Sequence, residues 1–141
     1  MTLAGSVLAV LSSGWALTGN PLENAKFVEG WYDSKKAGYP QVTVSNLSAP
    51  AREYYGTATV RVHHQWAVNV WLQIPVGAAG ANQLTQIEQM NREVFRILNS
   101  NRSIASLDLT ISDGLGEPHH ELDTQPRLLR YEQVVYGVET L

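Results

Sequence analysis

Hydrophobic and polar residues alternate over one unusually long stretch, from Thr57 to Ile74. Its even positions are mostly apolar and its odd positions mostly polar, which is the two-residue period of a β-strand with one buried and one solvated face. Valine is frequent in this stretch, and β-branched residues favour strands over helices. The pattern therefore predicts one long strand. Its polar face carries the residues that we assign as a candidate subunit interface, namely Arg61, His63, Gln65, Asn69, Trp71 and Gln73.

The length of this strand is its most informative property. Its residues would span roughly 60 Å at about 3.3 Å per residue, whereas a domain of this size has a diameter of very roughly 35–40 Å. We expect the strand either to bend near His63 and Gln65, where the alternation is weakest, or to project at one end as an arm. An arm with an apolar face needs cover from another chain. The pattern therefore favours a subunit of an assembly.

Shorter patterned segments surround the long strand. Residues 2–13 and 82–99 carry apolar residues at helical spacing, which predicts a short first helix and a main helix. Four further strands are predicted at Lys26–Asp33, Gln41–Leu47, Leu107–Ile111 and Leu128–Val138. Because Ser48–Gly56 has the length of a wide hairpin connection, we expect the strands on either side of it to pair antiparallel.

The order of these elements is α-β-β-β-α-β-β, which predicts an α+β fold in a single domain, residues 1–141. We expect a mostly antiparallel, sandwich-like sheet with one long helix packed across it and an extended β-arm.

Composition and charge narrow the function classes. The formal net charge is −3, so there is no electrostatic reason to expect nucleic-acid binding. The chain has no cysteine, which excludes disulfides and thiolate metal sites. No apolar stretch reaches the length of a membrane span. The apolar N-terminus is either a signal peptide or an amphipathic first helix, and the lack of Lys or Arg at its start favours the helix.

No catalytic motif is present. The sequence has neither a phosphate-binding glycine loop nor a nucleophile elbow, so we do not expect an enzyme and assign no cofactor. The best candidates for a metal or ligand site are His119, His120 and Glu121, with Asp123 nearby, although their spacing matches no known metal motif. A small metal- or ligand-binding α+β domain using this loop is therefore the alternative function. Solvated loop residues are the simpler explanation of the cluster.

Acidic residues are concentrated between Asp113 and Pro126, where no Lys or Arg occurs. These residues are Asp113, Glu117, Glu121 and Asp123. One interpretation is a solvated loop. The other is that loops of neighbouring subunits line a shared opening, where their negative charge repels DNA phosphate and lets a duplex pass without binding.

Trp71 is the one large aromatic residue on the predicted polar face of the long strand. An exposed tryptophan among amides is a candidate anchor for a protein contact. The alternative is that a second layer, such as the N-terminal helix, covers it.

The order of elements also resembles a known family. The segments that carry the resemblance are Pro40–Val44, Val70–Pro75, the helix Leu84–Leu98, Ser106–Leu109, the acidic loop and the closing strand through Tyr136. They resemble the tail terminator, or tail completion, proteins of long-tailed bacteriophages and related virus-like particles. The resemblance covers roughly residues 39–141. It is one of element order and pattern, without a specific motif.

This resemblance implies a structural protein of the virion, located in the tail or neck and assembled in the host cytoplasm. It implies a homo-oligomeric ring, a hexamer by family resemblance, that caps the tail tube, stops its polymerisation and joins it to the head connector. The implied partners are other copies of the chain, the tail tube protein and a head-connector or neck protein. DNA would only pass through the lumen, and no membrane is involved.

Overall fold

The computed structural model of the chain describes residues 2–36, 38–56, 58–75, 77–104, 106–111, 118–121 and 127–141. Tyr55 and His119–Glu121 are described by their backbone only. The helices and strands within these residues are α1 (Leu3–Gly14), β1 (Lys26–Glu29), β2 (Gln41–Asn46), β3 (Ala51–Tyr55), β4 (Thr59–Gln73), α2 (Ala81–Ser100), β5 (Ser103–Ile104), β6 (Leu107–Ile111), β7 (His119–Glu121) and β8 (Leu128–Thr140).

The eight described strands form one sheet, which curls into a half-barrel. Its main order is β1-β2-β4-β8-β6-β5, while β3 pairs with β4 and β7 pairs with β8. Strands β1 and β2 run parallel, and the other described pairs run antiparallel. The predicted α+β class, with a mostly antiparallel sheet and a long helix across it, is confirmed.

Strand β4 lies at the centre of this sheet. It is one continuous strand of 15 residues, without an interruption near His63 or Gln65. One of its edges pairs with β8 from Arg61 to Gln73. Its other edge is shared, because β2 pairs with residues 66–71 and β3 pairs with residues 59–63. The long strand therefore organises the sheet as the alternation predicts.

The hydrophobic core lies between the sheet and the two helices. The even positions of β4 from Trp66 to Leu72 face this core, as the periodicity predicts. The helical residues that meet them include Val7, Leu11, Ile87, Met90, Val94, Ile97 and Leu98, all buried. Helix α2 is one residue longer at each end than predicted, since it begins at Ala81 and ends at Ser100.

Two strand predictions are corrected. The predicted strand Lys26–Asp33 ends at Glu29, because Gly30 has a φ of 106° that interrupts the extended backbone. The predicted connection Ser48–Gly56 contains β3, a strand that lies at the edge of the sheet. An edge strand with exposed side chains on both faces needs no apolar alternation, so the pattern in the sequence does not mark it.

A third correction concerns the solvated face of the long strand. The prediction that all its odd positions contact solvent is wrong for Ala67, Asn69 and Trp71, which are buried. Trp71 is covered by residues 30–33, which pack against the sheet on the side opposite the helices. Part of the sheet therefore has a layer on each face.

Candidate functional site

A two-stranded hairpin at one end of the sheet is the first candidate for a functional surface. It comprises β3, a short turn and the start of β4, and we call residues 51–63 the arm. Its register pairs Ala51 with His63 and Tyr55 with Thr59. Every side chain of β3 that the structure describes is exposed, and that of Tyr54 is 68% exposed. No described strand pairs with the outer edge of β3, and such an edge is a template for a strand of another chain.

Charged side chains on the arm pair with one another. His63 Nε2 lies 2.7 Å from a carboxylate oxygen of Glu53, and both side chains are exposed. Arg61 lies directly opposite Glu53 in the register and is exposed as well. Of the predicted interface residues, Arg61 and His63 are therefore accessible. Gln65 is half-buried and accepts a hydrogen bond of 3.1 Å from the Ser48 hydroxyl.

The predicted interface residues Asn69 and Trp71 lie beneath a second layer. Asn69 is 0% exposed and Trp71 is 2% exposed. Trp31 packs edge-on against the Trp71 ring with centroids 4.8 Å apart, and Tyr32 packs at 5.2 Å. The Trp71 indole N–H donates to the Thr43 hydroxyl at 2.9 Å. Neither Asn69 nor Trp71 offers surface to a neighbour in this conformation, and the covering layer is residues 30–33 rather than the N-terminal helix.

A buried glutamine holds this covering segment on the sheet. The Gln41 side chain accepts a hydrogen bond from the Asp33 backbone N–H at 2.9 Å and donates one to the Asp33 carbonyl at 2.8 Å. Gln41 itself is fully buried. Burial, reinforced by the negative charge of Asp33, raises the pKa of Tyr32 above its usual value. These bonds fix residues 30–33 against β2 and β4.

An arginine completes the cluster on this face. One Arg130 nitrogen donates to Asn69 Oδ1 at 3.0 Å and to a Glu132 oxygen at 2.7 Å. Its guanidinium carbon lies 5.6 Å from the centroid of the Trp31 ring and 5.7 Å from that of Trp71. Trp31 remains 55% exposed. The sequence pattern does not mark Trp31 or Arg130 as functional residues, and the one signal it offers is the aromatic pair Trp31-Tyr32 that follows Gly30.

The arm joins the covered part of the sheet at His64. Its imidazole stacks on the Trp66 ring with centroids 5.2 Å apart and lies 3.5 Å from a Glu139 oxygen. Gly137 lies opposite His64, and a Cβ atom at this glycine would come within 2.6 Å of the Trp66 ring. Close packing at this point therefore fixes the base of the arm.

Neither a protein-family model nor a curated protein matches this sequence.

The larger described cleft, of about 550 Å³, lies between α2 and the segment that follows α1. Its lining residues are Ala16, Leu17, Thr18, Leu22, Gln89, Arg92, Glu93 and Arg96. The Glu93 carboxylate accepts bonds of 2.6 Å from the Ala16 N–H and from Arg96 Nε. Burial acts to raise the pKa of Glu93, but these hydrogen bonds and the Arg96 charge outweigh it and lower the pKa. Glu93 thus links α2 to the segment that follows α1, and Arg96 also donates a bond of 2.9 Å to the Gly14 carbonyl at the end of α1.

A smaller cleft of about 270 Å³ includes the last of the predicted interface residues, Gln73. Its other lining residues are Pro21, Gly38, Tyr39, Pro40, Leu72 and Pro75. Gln73 is half-buried and lies at the end of β4 opposite the arm. The predicted interface residues therefore lie in three different environments and do not form one surface.

Most residues of the predicted acidic loop and of the predicted histidine cluster lie outside the described residues, or are described by their backbone only. Asp113, Glu117 and Asp123 are not among them. His119, His120 and Glu121 form β7, which pairs with residues 128–130, but their side chains are not described. In the part of the chain that is described, no group of three or more metal-ligating residues occurs. Neither described α-helix combines the length and hydropathy needed to cross a bilayer.

Proposed function

We propose that this protein is a structural subunit of a virus or phage-like particle, in which copies assemble into a ring of the tail or neck. The single observation that supports this best is the arm. Its outer edge pairs with no described strand and every described side chain of β3 is exposed, yet it includes the start of the longest strand among the described residues. An assembly in which another copy covers the arm accounts for this geometry.

Apolar surface at the tip of the arm supports the proposal. Tyr54 lies opposite Val60 in the register, so their side chains share one face. Leu141 is bound beside them, because its backbone N–H donates to the Val60 carbonyl at 2.9 Å. Tyr54 and Leu141 are 68% and 69% exposed. Exposed apolar groups that cluster in this way are typical of protein contact sites.

The arm is also pre-organised for binding. Strand β8 pairs with the inner edge of β4 as far as Arg61, so the arm is anchored by hydrogen bonds along nearly its whole length. A rigid element loses little conformational entropy on association, which leaves more of the contact energy for affinity. The arm therefore suits a contact that must recur identically around a ring.

Ring formation follows if the arm meets a different surface on the next copy. Such a head-to-tail contact closes into a ring when the rotation between copies permits it. The likeness to tail terminators extends the proposal to a ring that caps the tail tube and joins it to the head connector. The negative charge of residues 113–123 suits a lumen through which DNA passes without binding.

The mass of the purified full chain in solution tests this proposal. Size-exclusion chromatography with light scattering should give a discrete oligomer whose proportion increases with concentration, and negative-stain images should show closed rings. Labelled antibody should locate the protein at the tail or neck of native particles. A monomer at every concentration, combined with absence from native particles, would contradict the proposal.

A further inference from the structure

We propose that β3 of one copy pairs antiparallel with β1 of the next copy, in the register that sets Arg52 opposite the neighbour's Glu29. This inference rests on the proposed function, because it assumes that copies of the chain assemble. It specifies which edge receives the arm and which residues meet there.

The direction of the backbone groups in β4 follows from two hydrogen bonds, one near its start and one near its middle. Val60 accepts a bond of 2.9 Å from Leu141, which continues the line of β8, so the backbone groups of Val60 face β8. Gln65 accepts a bond of 2.9 Å from Leu47, which lies on the opposite edge. Since these groups alternate along a strand, the odd-numbered residues of β4 face β2 and β3.

The free groups on β3 follow from this alternation. The odd-numbered residues of β4 bond to the residues opposite them, which are Ala51 and Glu53. The backbone N–H and C=O groups of Arg52 and Tyr54 therefore point away from β4. No described strand satisfies them, so the outer edge of β3 presents two residues that can pair with another strand.

Strand β1 has a matching free edge. Lys26 and Gly30 each donate a backbone hydrogen bond of 2.8 Å to the segment formed by β2 and the residue before it. In a parallel pair, alternate residues bond to the same neighbour. The backbone groups of Phe27 and Glu29 therefore point away from β2, and no described strand pairs with them.

One antiparallel register gives a hydrogen-bond partner to every outward backbone group of the two edges. It sets Arg52 opposite the neighbour's Glu29 and Tyr54 opposite the neighbour's Phe27, so that all the outward groups meet a partner. Opposite charges and aromatic pairs are both favourable when they lie directly across from each other in a sheet. Glu29 uses one carboxylate oxygen for the Thr2 hydroxyl at 2.6 Å, which leaves the other oxygen for Arg52.

Self-pairing of either edge is less favourable. If β3 paired with β3 of a second copy so that the outward groups met, Glu53 would lie opposite Glu53, and like charges at this position are destabilising. If β1 paired with β1, Phe27 would lie opposite Glu29. The β3–β1 contact also relates two copies by a half-turn, because β1 and β3 run in the same direction and open toward the same side of the sheet. It forms twice in such a pair of copies, since β1 of the first copy then meets β3 of the second, and a ring needs a further contact between such pairs.

The pairing also accounts for the exposure of Tyr54. Phe27 already packs edge-on against Trp15 of its own chain, with ring centroids 5.4 Å apart. In the proposed register Tyr54 of the adjacent copy lies beside this pair. The exposed ring of Tyr54 thereby enters an aromatic cluster.

Engineered cysteines test the register, because the chain has no cysteine of its own. The double variant Glu53→Cys with Val28→Cys sets the two sulfurs on directly opposite residues. Opposite residues without mutual hydrogen bonds have Cα atoms about 4.5 Å apart, within the disulfide range of roughly 4.4–6.8 Å. Oxidation of the assembled protein should therefore produce a covalent dimer in non-reducing electrophoresis.

The matched control is the double variant Glu53→Cys with Lys26→Cys. Lys26 lies on the same face of β1 as Val28 but two residues away, which adds about 6.6 Å along the strand and exceeds the disulfide range. This variant should not cross-link. An assembled oligomer that fails to cross-link through Val28, or that cross-links equally through Lys26, overturns the register and leaves the ring proposal intact. A chain that stays monomeric at every concentration and is absent from native particles overturns both proposals.

Charge reversal provides a second readout. Arg52→Glu should raise the protein concentration needed for half-assembly about tenfold, and the double variant Arg52→Glu with Glu29→Arg should restore it. Failure of the double variant to recover assembly, while it remains folded by circular dichroism, would contradict the pairing of these two residues.

Discussion

The two halves of β4 follow the same sequence pattern but have different surroundings. From Trp66 to Leu72 every residue is buried, on both faces. From Thr59 to His63 only Val62 is buried. Alternation therefore identifies the strand and its more apolar face, but it does not reveal how many layers cover the strand. The number of layers depends on segments elsewhere in the chain.

Each half has a different role. The covered half has the helices on one face and residues 30–33 on the other, and several of its buried polar atoms are hydrogen-bonded there, although the Asn69 Nδ2 has no partner among the described residues. Gln41 and Arg130 make such bonds to Asp33 and Asn69. Of the described side chains of the arm, only Val62 is buried. We infer that the covered half stabilises the fold and that the arm serves assembly.

The largest expected difference between the halves concerns a buried charge. Val70→Asp places a carboxylate in the core, where the native side chain is 1% exposed, and should destabilise the fold by more than about 4 kcal/mol. Arg61→Asp changes an exposed arm residue and should cost about 1 kcal/mol or less. Urea denaturation followed by circular dichroism measures both. Equal losses would show that the two halves do not differ as described.

The second layer can be loosened at Gln41. Gln41→Ala removes both hydrogen bonds to Asp33 and should destabilise the fold by about 1–3 kcal/mol. Trp71 should become accessible, which increases quenching of tryptophan fluorescence by acrylamide. Gln65→Ala is the control, because it removes one bond to Ser48 at a half-buried site. Unchanged quenching in Gln41→Ala would mean that residues 30–33 stay in place without this side chain.

The smallest expected effect is a pH dependence of the stability. It concerns Glu93 of α2, the long helix that packs on the covered half. The folded state lowers the pKa of Glu93, so this carboxylate contributes stability above its unfolded pKa of about 4.3. That contribution is lost as the pH falls through the lower folded value. Glu93→Gln should therefore be less stable than the native chain at neutral pH, and the difference should shrink in acid. Parallel curves of unfolding free energy against pH would contradict this assignment.

Much of the fold is readable from the sequence, for identifiable reasons. Helix α2 and strand β4 are long and strongly periodic, so their existence and their core-facing residues are predicted well. Strand β3 has exposed side chains on both faces and therefore carries no periodic signal. The parallel pairing of β1 with β2 is not encoded by local pattern either, because it depends on the path of residues 30–40.

The candidate site was harder to predict than the fold. Arg61 and His63 are accessible because the arm lacks a second layer. Asn69 and Trp71 continue the same alternation but are covered by Trp31 and Tyr32, which follow Gly30 and resemble a continuation of the preceding strand. Only the folded chain shows which odd positions of β4 remain exposed.

The central claim is that the outer edge of the arm joins one copy to the next, and Arg52→Pro tests it most directly. Proline lacks the backbone N–H, and at Arg52 that group points away from β4, so the bonds within the arm are kept, as proline on edge strands allows. Light scattering should give an oligomer for the native chain and a monomer for the variant. At a protein concentration low enough to dissociate the native oligomer, the two chains should have the same urea midpoint, because assembly stabilises the folded native chain above that concentration. An Arg52→Pro variant that assembles as well as the native chain, in solution or in native particles, would contradict this claim.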